Sequence, residues 1–342
     1  MATLSVENPT LLDLSRVTDP DGTIAAVVEI LNQTNEILKD MTWMEGNLAT
    51  GNRSTIRTGI PTPTWRKLYG GVQPNKSTTV QVDDSTGMLE AYAEVDKALA
   101  DLNGNTAAFR MQEDKPHIEG INQELADTLF YGDESTEPEA FTGFSPRFAN
   151  LTADASSDNV IDGSETNSGS DSASIWLVVW GPSTVHGIIP KGSTAGLQMS
   201  DLGEVTLEDA SGGSNTGRMQ AYRTHYRFDA GLVVRDWRYV VRICNIDKSR
   251  LSAVYTSGAF STGAHLPDLM FQAMRRVPSL NAGRPAFYMS RDMLTWLGRQ
   301  TSAATQGSTL RSEMVGGELV ETFHGIPLRR VDALSGDETD LT

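Results

Sequence analysis

Apolar residues recur at steps of three and four through NTAAFRMQEDKPHIEGINQELADTLFY, residues 105–131. Ile118, Ile121, Leu125 and Leu129 share one helical face, and Glu113, Asp114, Glu119, Glu124 and Asp127 supply a wet one. The spacing predicts one long helix that stops at Gly132, a rod of about 40 Å. Pro116 removes a backbone donor, so a kink or a second helix start is expected there. Such a rod suits a protein that tiles a surface better than it suits a plain enzyme domain.

Other elements follow from the same reading. After an arm of 18 residues without periodicity, Asp19 and Pro20 are placed as N-cap and first residue of a helix, with Ile24, Val27, Val28, Leu31, Leu38 and Met41 as its stripe. From Trp43 to Val82 glycines and prolines break the chain into short extended pieces, and Thr and Val alternate in STTVQV. This hairpin-like excursion has too little apolar content for a core, so it is expected to lie on a neighbouring subunit. A strand follows with Leu89, Ala91, Ala93 and Val95 on one side, and Asp96 caps a short helix over 97–102.

Residues 153–173 are rich in Ser, Asp, Asn and Gly and are expected to form an exposed, flexible loop. A buried strand, SIWLVVW, opens a β-rich lobe over 174–250, in which Val233, Trp237, Tyr239 and Val241 continue a strand pattern. The last part reads as α/β. Leu266, Leu269, Met270, Ala273, Met274 and Val277 mark a helix, AFYM a strand, and Ser290 the cap of a helix over 291–300. A loop over 305–317 and two closing strands around His324 and Gly325 complete it.

At 342 residues two or more lobes are expected. The start, MATLSVENPTLLDLS, has no basic n-region and no long apolar core, so no signal peptide is expected. No apolar run approaches the roughly 20 residues of a membrane helix. The single Cys244 excludes an intramolecular disulfide and a Cys-based zinc site. The expectation is a soluble, non-secreted chain with no membrane partner.

A formal charge of −16 argues against general nucleic-acid affinity. The charge is unevenly spread. Arg53, Arg57, Arg66, Lys67 and Lys76 face Glu45 alone between Trp43 and Val82. Residues 218–250 hold eight basic and three acidic residues. Basic segments on an acidic body suit like subunits that dock basic part to acidic part, although chance clustering gives the same pattern.

Candidate chemistry is sparse. There is no phosphate loop, no GxGxxG after a strand and no GxSxG elbow. His117, His186, His225, His265 and His324 lie far apart, without zinc spacing. Asp83 and Asp84 with Glu90, and Asp201 with Glu204, are the carboxylate pairs, unremarkable among 44 acidic residues. Trp176, Trp180, Trp237 and Tyr239 fall at strand spacing, which favours core packing over base stacking. No catalytic, cofactor-binding or metal-binding residue is assigned, and no cofactor is expected.

Three stretches carry a resemblance. YGDESTEPEAFTGF, residues 131–144, looks like the exit from a spine helix; PAFYMSRDMLTWLGRQ, residues 285–300, looks like the strand and helix of an axial lobe; FHGIPLRRVDAL, residues 323–334, looks like closing strands. In this order they resemble a tailed-phage major capsid protein of the Hong Kong 97 type. The resemblance implies an α+β fold: an arm and helix (1–42), an extended β-hairpin loop (43–88), and a peripheral domain (89–173) whose spine is 105–131. It further implies a β-rich lobe or insertion (174–250) and an axial domain with closing strands (251–342).

The implied function is a structural, non-enzymatic one, self-assembly into hexamers and pentamers of an icosahedral head enclosing double-stranded DNA without sequence-specific binding. Portal, scaffolding and decoration or cement proteins are the implied partners, with scaffolding supplied by a separate protein. The extended loop would contact a neighbouring subunit through Arg57, Arg66 and Lys67 as charges and Trp65, Leu68 and Tyr69 as apolar anchors. Two other readings stand beside it: an encapsulin-like cellular shell, and a hydrolase or carbohydrate-binding module without a recognisable motif.

Overall fold

The computed structural model describes residues 33–104, 106–163, 171–208, 217–251, 263–303, 310–315, 318–334 and 338–341. In chain order they form a one-turn helix α1 (Ile37–Asp40), strands β1 (Trp43–Glu45), β2 (Gly51–Gly59) and β3 (Thr78–Asp96), then helices α2 (Lys97–Ala100), α3 (Thr106–Tyr131) and α4 (Phe144–Arg147). Strands β4 (Val160–Asp162), β5 (Ser172–Trp180), β6 (Val185–Ile189), β7 (Gln198–Glu208), β8 (Arg218–Val234) and β9 (Val240–Asp247) follow. Helix α5 (Leu266–Arg276), strand β10 (Arg284–Met289), helix α6 (Arg291–Ala303) and strands β11 (Leu310–Val315), β12 (Glu318–Phe323) and β13 (Ile326–Arg330) close the chain.

The residues group into two compact units. One takes Met88–Asp127 and Thr194–Asp229; the other takes Glu36–Gly87, Thr128–Ser193 and Ala230–Thr342. The segment 174–250 is thereby shared between them.

In the first unit β3, β8 and β7 lie side by side, with β7 antiparallel to β8 and a bulge between Asp201 and Gly203. Gly203 has φ +67 and its N–H is taken by the Asp201 carboxylate, which suits a bulge. The period-2 pattern of β3 turns Ala93 and Val95 inward as the sequence predicts. Ala93 meets Ile121 of α3 and Tyr226, while Val95 meets Phe109 and Ala100. Lys97 pairs with Glu204, and Arg110 lies 2.7 Å from Asp201.

Helix α3 runs from Thr106 to Tyr131 without a second start at Pro116. Pro116 is exposed, so the carbonyl it orphans one turn back can bond water. Three of the four predicted stripe residues, Ile121, Leu125 and Leu129, are buried. Ile118 is 40% exposed, whereas Phe109, Ile121, Leu125, Ala126, Leu129 and Phe130 are buried.

In the second unit the core lies around β5, flanked by antiparallel β9 and β10. Every residue of β5 is buried, so alternation of polar and apolar positions is absent. Ile175, Leu177 and Val179 join Met270 of α5 and Met293 of α6 in one cluster. Trp176 and Trp180 meet Phe130, Phe144 and Phe148 in an aromatic one.

Several expectations are corrected. Residues 33–36 are not helical and α1 is a single turn; the rest of the helix expected from Asp19 lies outside the described residues. Trp237–Tyr239 is a 3-10 turn capped by Asp236, because the carboxylate takes the Arg238 N–H and ends the strand. Within 153–173, Ala155–Asn159 is a 3-10 turn and β4 runs parallel to β9. Its polar residues are held by bonds such as Asn159 Nδ2 to the Val240 carbonyl, 2.9 Å. Residues 164–170 lie outside the described residues. The loop expected over 305–317 contains β11, which pairs antiparallel with β12.

Candidate assembly site

The excursion read from the sequence is a β-hairpin. Strands β2 and β3 pair antiparallel from Gly51↔Ser85 to Gly59↔Thr78, with a bulge between Arg57 and Gly59. β-Branched residues at Thr55, Ile56, Thr79, Val80 and Val82 favour the extended form. Arg53 grips Asp83 with two bonds of 2.6 Å, and this bonding holds the Asp83 carboxyl below its ordinary range.

The root of the hairpin is close-packed. A Cβ on Gly51 would lie 2.0 Å from the Asp84 carbonyl oxygen, and one on Gly231 2.6 Å from that of Ser85. The Asp84 side chain is 2% exposed and lies 2.8 Å from Arg147 Nη1. Burial pushes the Asp84 carboxyl up, and Arg147 opposes that shift without cancelling it. Arg147 also donates to the carbonyls of Thr142 and Leu232, both at 3.3 Å. Beside this root, Ser85 Oγ donates to Glu134 at 2.8 Å, and a Cβ on Gly87 would lie 2.9 Å from the Glu139 carbonyl oxygen.

The tip is open. Trp65 is 104% exposed, Tyr69 101% and Leu68 88%. A turn closed by the Gly70 N–H on the Lys67 carbonyl, 3.0 Å, with Tyr69 at φ +60, brings these residues together with Arg66 and Lys67. Asn75 Nδ2 donates to the Thr62 carbonyl across the tip, 2.6 Å. Arg57 stands apart on β2, opposite Thr79. From Ser54 to Val82 the chain holds Arg57, Arg66, Lys67 and Lys76 and no carboxylate. None of these four cations forms an ion pair among the described residues.

The candidate chemical groups have structural occupations. Glu90 lies 3.2 Å from His225 Nε2, and Tyr92 stacks on that imidazole at 4.5 Å. His265 caps α5 by accepting from the Asp268 N–H. His324 sits in the closing turn at φ +51. Burial pushes the Cys244 thiol up to about 12, so it is inert. Among the described residues no group of His, Cys, Asp or Glu is arranged to hold a metal, and no helix is long and apolar enough to cross a membrane.

Sequence reasoning missed a buried node in the second unit. Arg242, 5% exposed, lies 2.6 Å from Glu338, donates to the Phe148 carbonyl at 3.0 Å and covers the Trp176 ring at 5.0 Å. Tyr131 and Ser174 also donate to Glu338. A lone arginine inside the apolar run VVRICNI was the available signal.

A family model described as Major capsid protein GP7 matches residues 19–342. This chain belongs to that family. A chain from the near-atomic-resolution structure of bacteriophage Epsilon15 is 35% identical with a TM-score of 0.76, over 97% of this chain and 96% of that one. The bacteriophage JBD30 capsid is 11% identical at TM-score 0.48, over 90% and 93%. The SrpI encapsulin of Synechococcus elongatus PCC 7942 is 10% identical at 0.37, over 72% and 92%. No curated protein matches.

The capsid protein is therefore a tailed-phage structural protein and not an enzyme. Its α+β fold is of the Hong Kong 97 type, and it self-assembles into the capsid shell of the virion.

Proposed function

We propose that the capsid protein assembles as hexamers and pentamers of an icosahedral head around double-stranded DNA, each subunit laying its hairpin over a neighbour. The open tip supports this reading: apolar side chains, and cations without an ion pair among the described residues, are displayed on a two-stranded hairpin. A two-stranded hairpin with exposed apolar groups is marginal in water by itself and gains stability when covered. Trp65, Leu68 and Tyr69 are the anchors, and Arg57, Arg66 and Lys67 set the register.

In this reading 1–42 is an arm and helix, 43–88 the extended loop and 89–173 a peripheral domain with its spine helix. The β-rich segment 174–250 extends the periphery, and 251–342 gathers at symmetry axes. A net charge of −16 supports a wall that contains DNA without gripping it. A portal protein, a separate scaffolding protein and a decoration protein would complete the head.

Deleting residues 59–71, or changing Arg66→Glu, is expected to leave folded subunits that fail to close into shells. Negative-stain microscopy and sedimentation of the expressed protein measure this; normal particles from the deletion would sink the loop assignment.

A further inference from the structure

We infer that the cationic tip of one copy seats on the acidic turn 133–139 at the hairpin root of a second copy. This rests on the reading that the hairpin docks between subunits, and it names the surface that receives it.

The two surfaces mirror each other in charge. The tip segment 54–82 holds four cations and no carboxylate, while 128–146 holds Asp133, Glu134, Glu137 and Glu139 and no Lys or Arg. Glu134, Glu137 and Glu139 are exposed. Among the described residues none of the four carboxylates forms an ion pair. The turn is preformed: Asp133 O accepts from the N–H of Thr136 at 3.0 Å and of Glu137 at 2.9 Å, and Gly132 O accepts from Gly143 at 2.8 Å. A receptor that is already ordered loses little entropy on binding.

Geometry excludes pairing within one chain. The Ser85 bond to Glu134 and the close approach of Gly87 to Glu139 put the acidic turn at the hairpin's own root. Strand β2 then carries the chain nine residues away, about 30 Å at the usual strand rise. Among the described residues the tip has no counter-charge of its own, and the matching acidic turn is within reach only on another copy. Tip and root are different patches, so the contact is head-to-tail, the kind that closes into rings.

The test reverses both partners in the full chain. The turn's hydrogen bonds use backbone atoms and the Asp133 and Thr136 side chains, not those of Glu137 and Glu139. Glu137→Lys with Glu139→Lys is expected to abolish shell-sized particles while leaving the subunit's melting temperature unchanged. Adding Arg66→Glu and Lys67→Glu in the same chain is expected to bring shells back. If the tip reversal alone leaves shells normal, the docking reading fails and this inference with it. If the tip reversal blocks assembly but the turn reversal does not, or the combined variant gains nothing, the hairpin docks elsewhere and only this inference is overturned.

Discussion

His186 on β6 is 1% exposed, and burial, with Arg235 nearby, lowers its pKa from 6.5 to about 4. Between those values the unfolded chain takes up a proton that the folded chain refuses. The contribution of His186 to stability is therefore full above pH 6.5 and falls as pH drops toward 4, by about 3 kcal/mol in all. His186→Phe should flatten that slope, read by urea unfolding of subunits from pH 7 to 4.5; an unchanged slope would show that other groups carry it. Asp84 has the opposite sign. Its raised pKa favours the protonated form in the fold, so its deprotonation weakens folding as pH rises, and Arg147 only limits the loss. At this scale the sequence was least legible. Nothing near Asp84 announces Arg147, which is 63 positions away.

Among elements, the hairpin shows what patterning reveals and what it hides. Alternation in STTVQV was visible, and the contiguous tip residues 65–69 stood out by type. Strand β2 was hidden because Gly51 and Gly59 bound it and its side chains are mostly polar. Its first residue is a glycine for a spatial reason: the Asp84 carbonyl occupies the place of a Cβ. Gly51→Ala should open the root, costing about 1–3 kcal/mol by overpacking. Amide hydrogen exchange over 51–59 and 78–85 measures this, and unchanged protection would contradict it. Helix α3 was legible because its length outweighs one proline, yet its buried face was misplaced at Ile118, which faces water. Trp237 and Tyr239 look like strand residues until the Asp236 cap is counted.

For the whole molecule, the order of parts carried the family, and the charge balance motivates the manner of association proposed above. The division into units was illegible, because β3 and β8 each contribute residues to both. The tail was illegible too. Glu338 bridges to Ser172, and the Leu341 N–H donates to Asn245 Oδ1 at 2.8 Å, so residues far along the chain complete the core. Glu338→Ala leaves Arg242 buried without its carboxylate and should destabilise the subunit by about 3–5 kcal/mol. Replacing both, Arg242→Met with Glu338→Leu, should recover much of that in a denaturant titration. A double variant as weak as the single one would refute the pairing account.

The same node sets a clock on synthesis. A ribosome makes Arg242 96 residues before Glu338, an interval of about 5–20 s at ordinary elongation rates. Until residue 338 emerges, closing the core over Trp176 means burying a guanidinium without its carboxylate, bonded only to Ser174 Oγ and the Phe148 carbonyl. That cost weighs against final packing until the carboxylate is in place. A chain cut before residue 338 is therefore expected to unfold at lower denaturant than the full one.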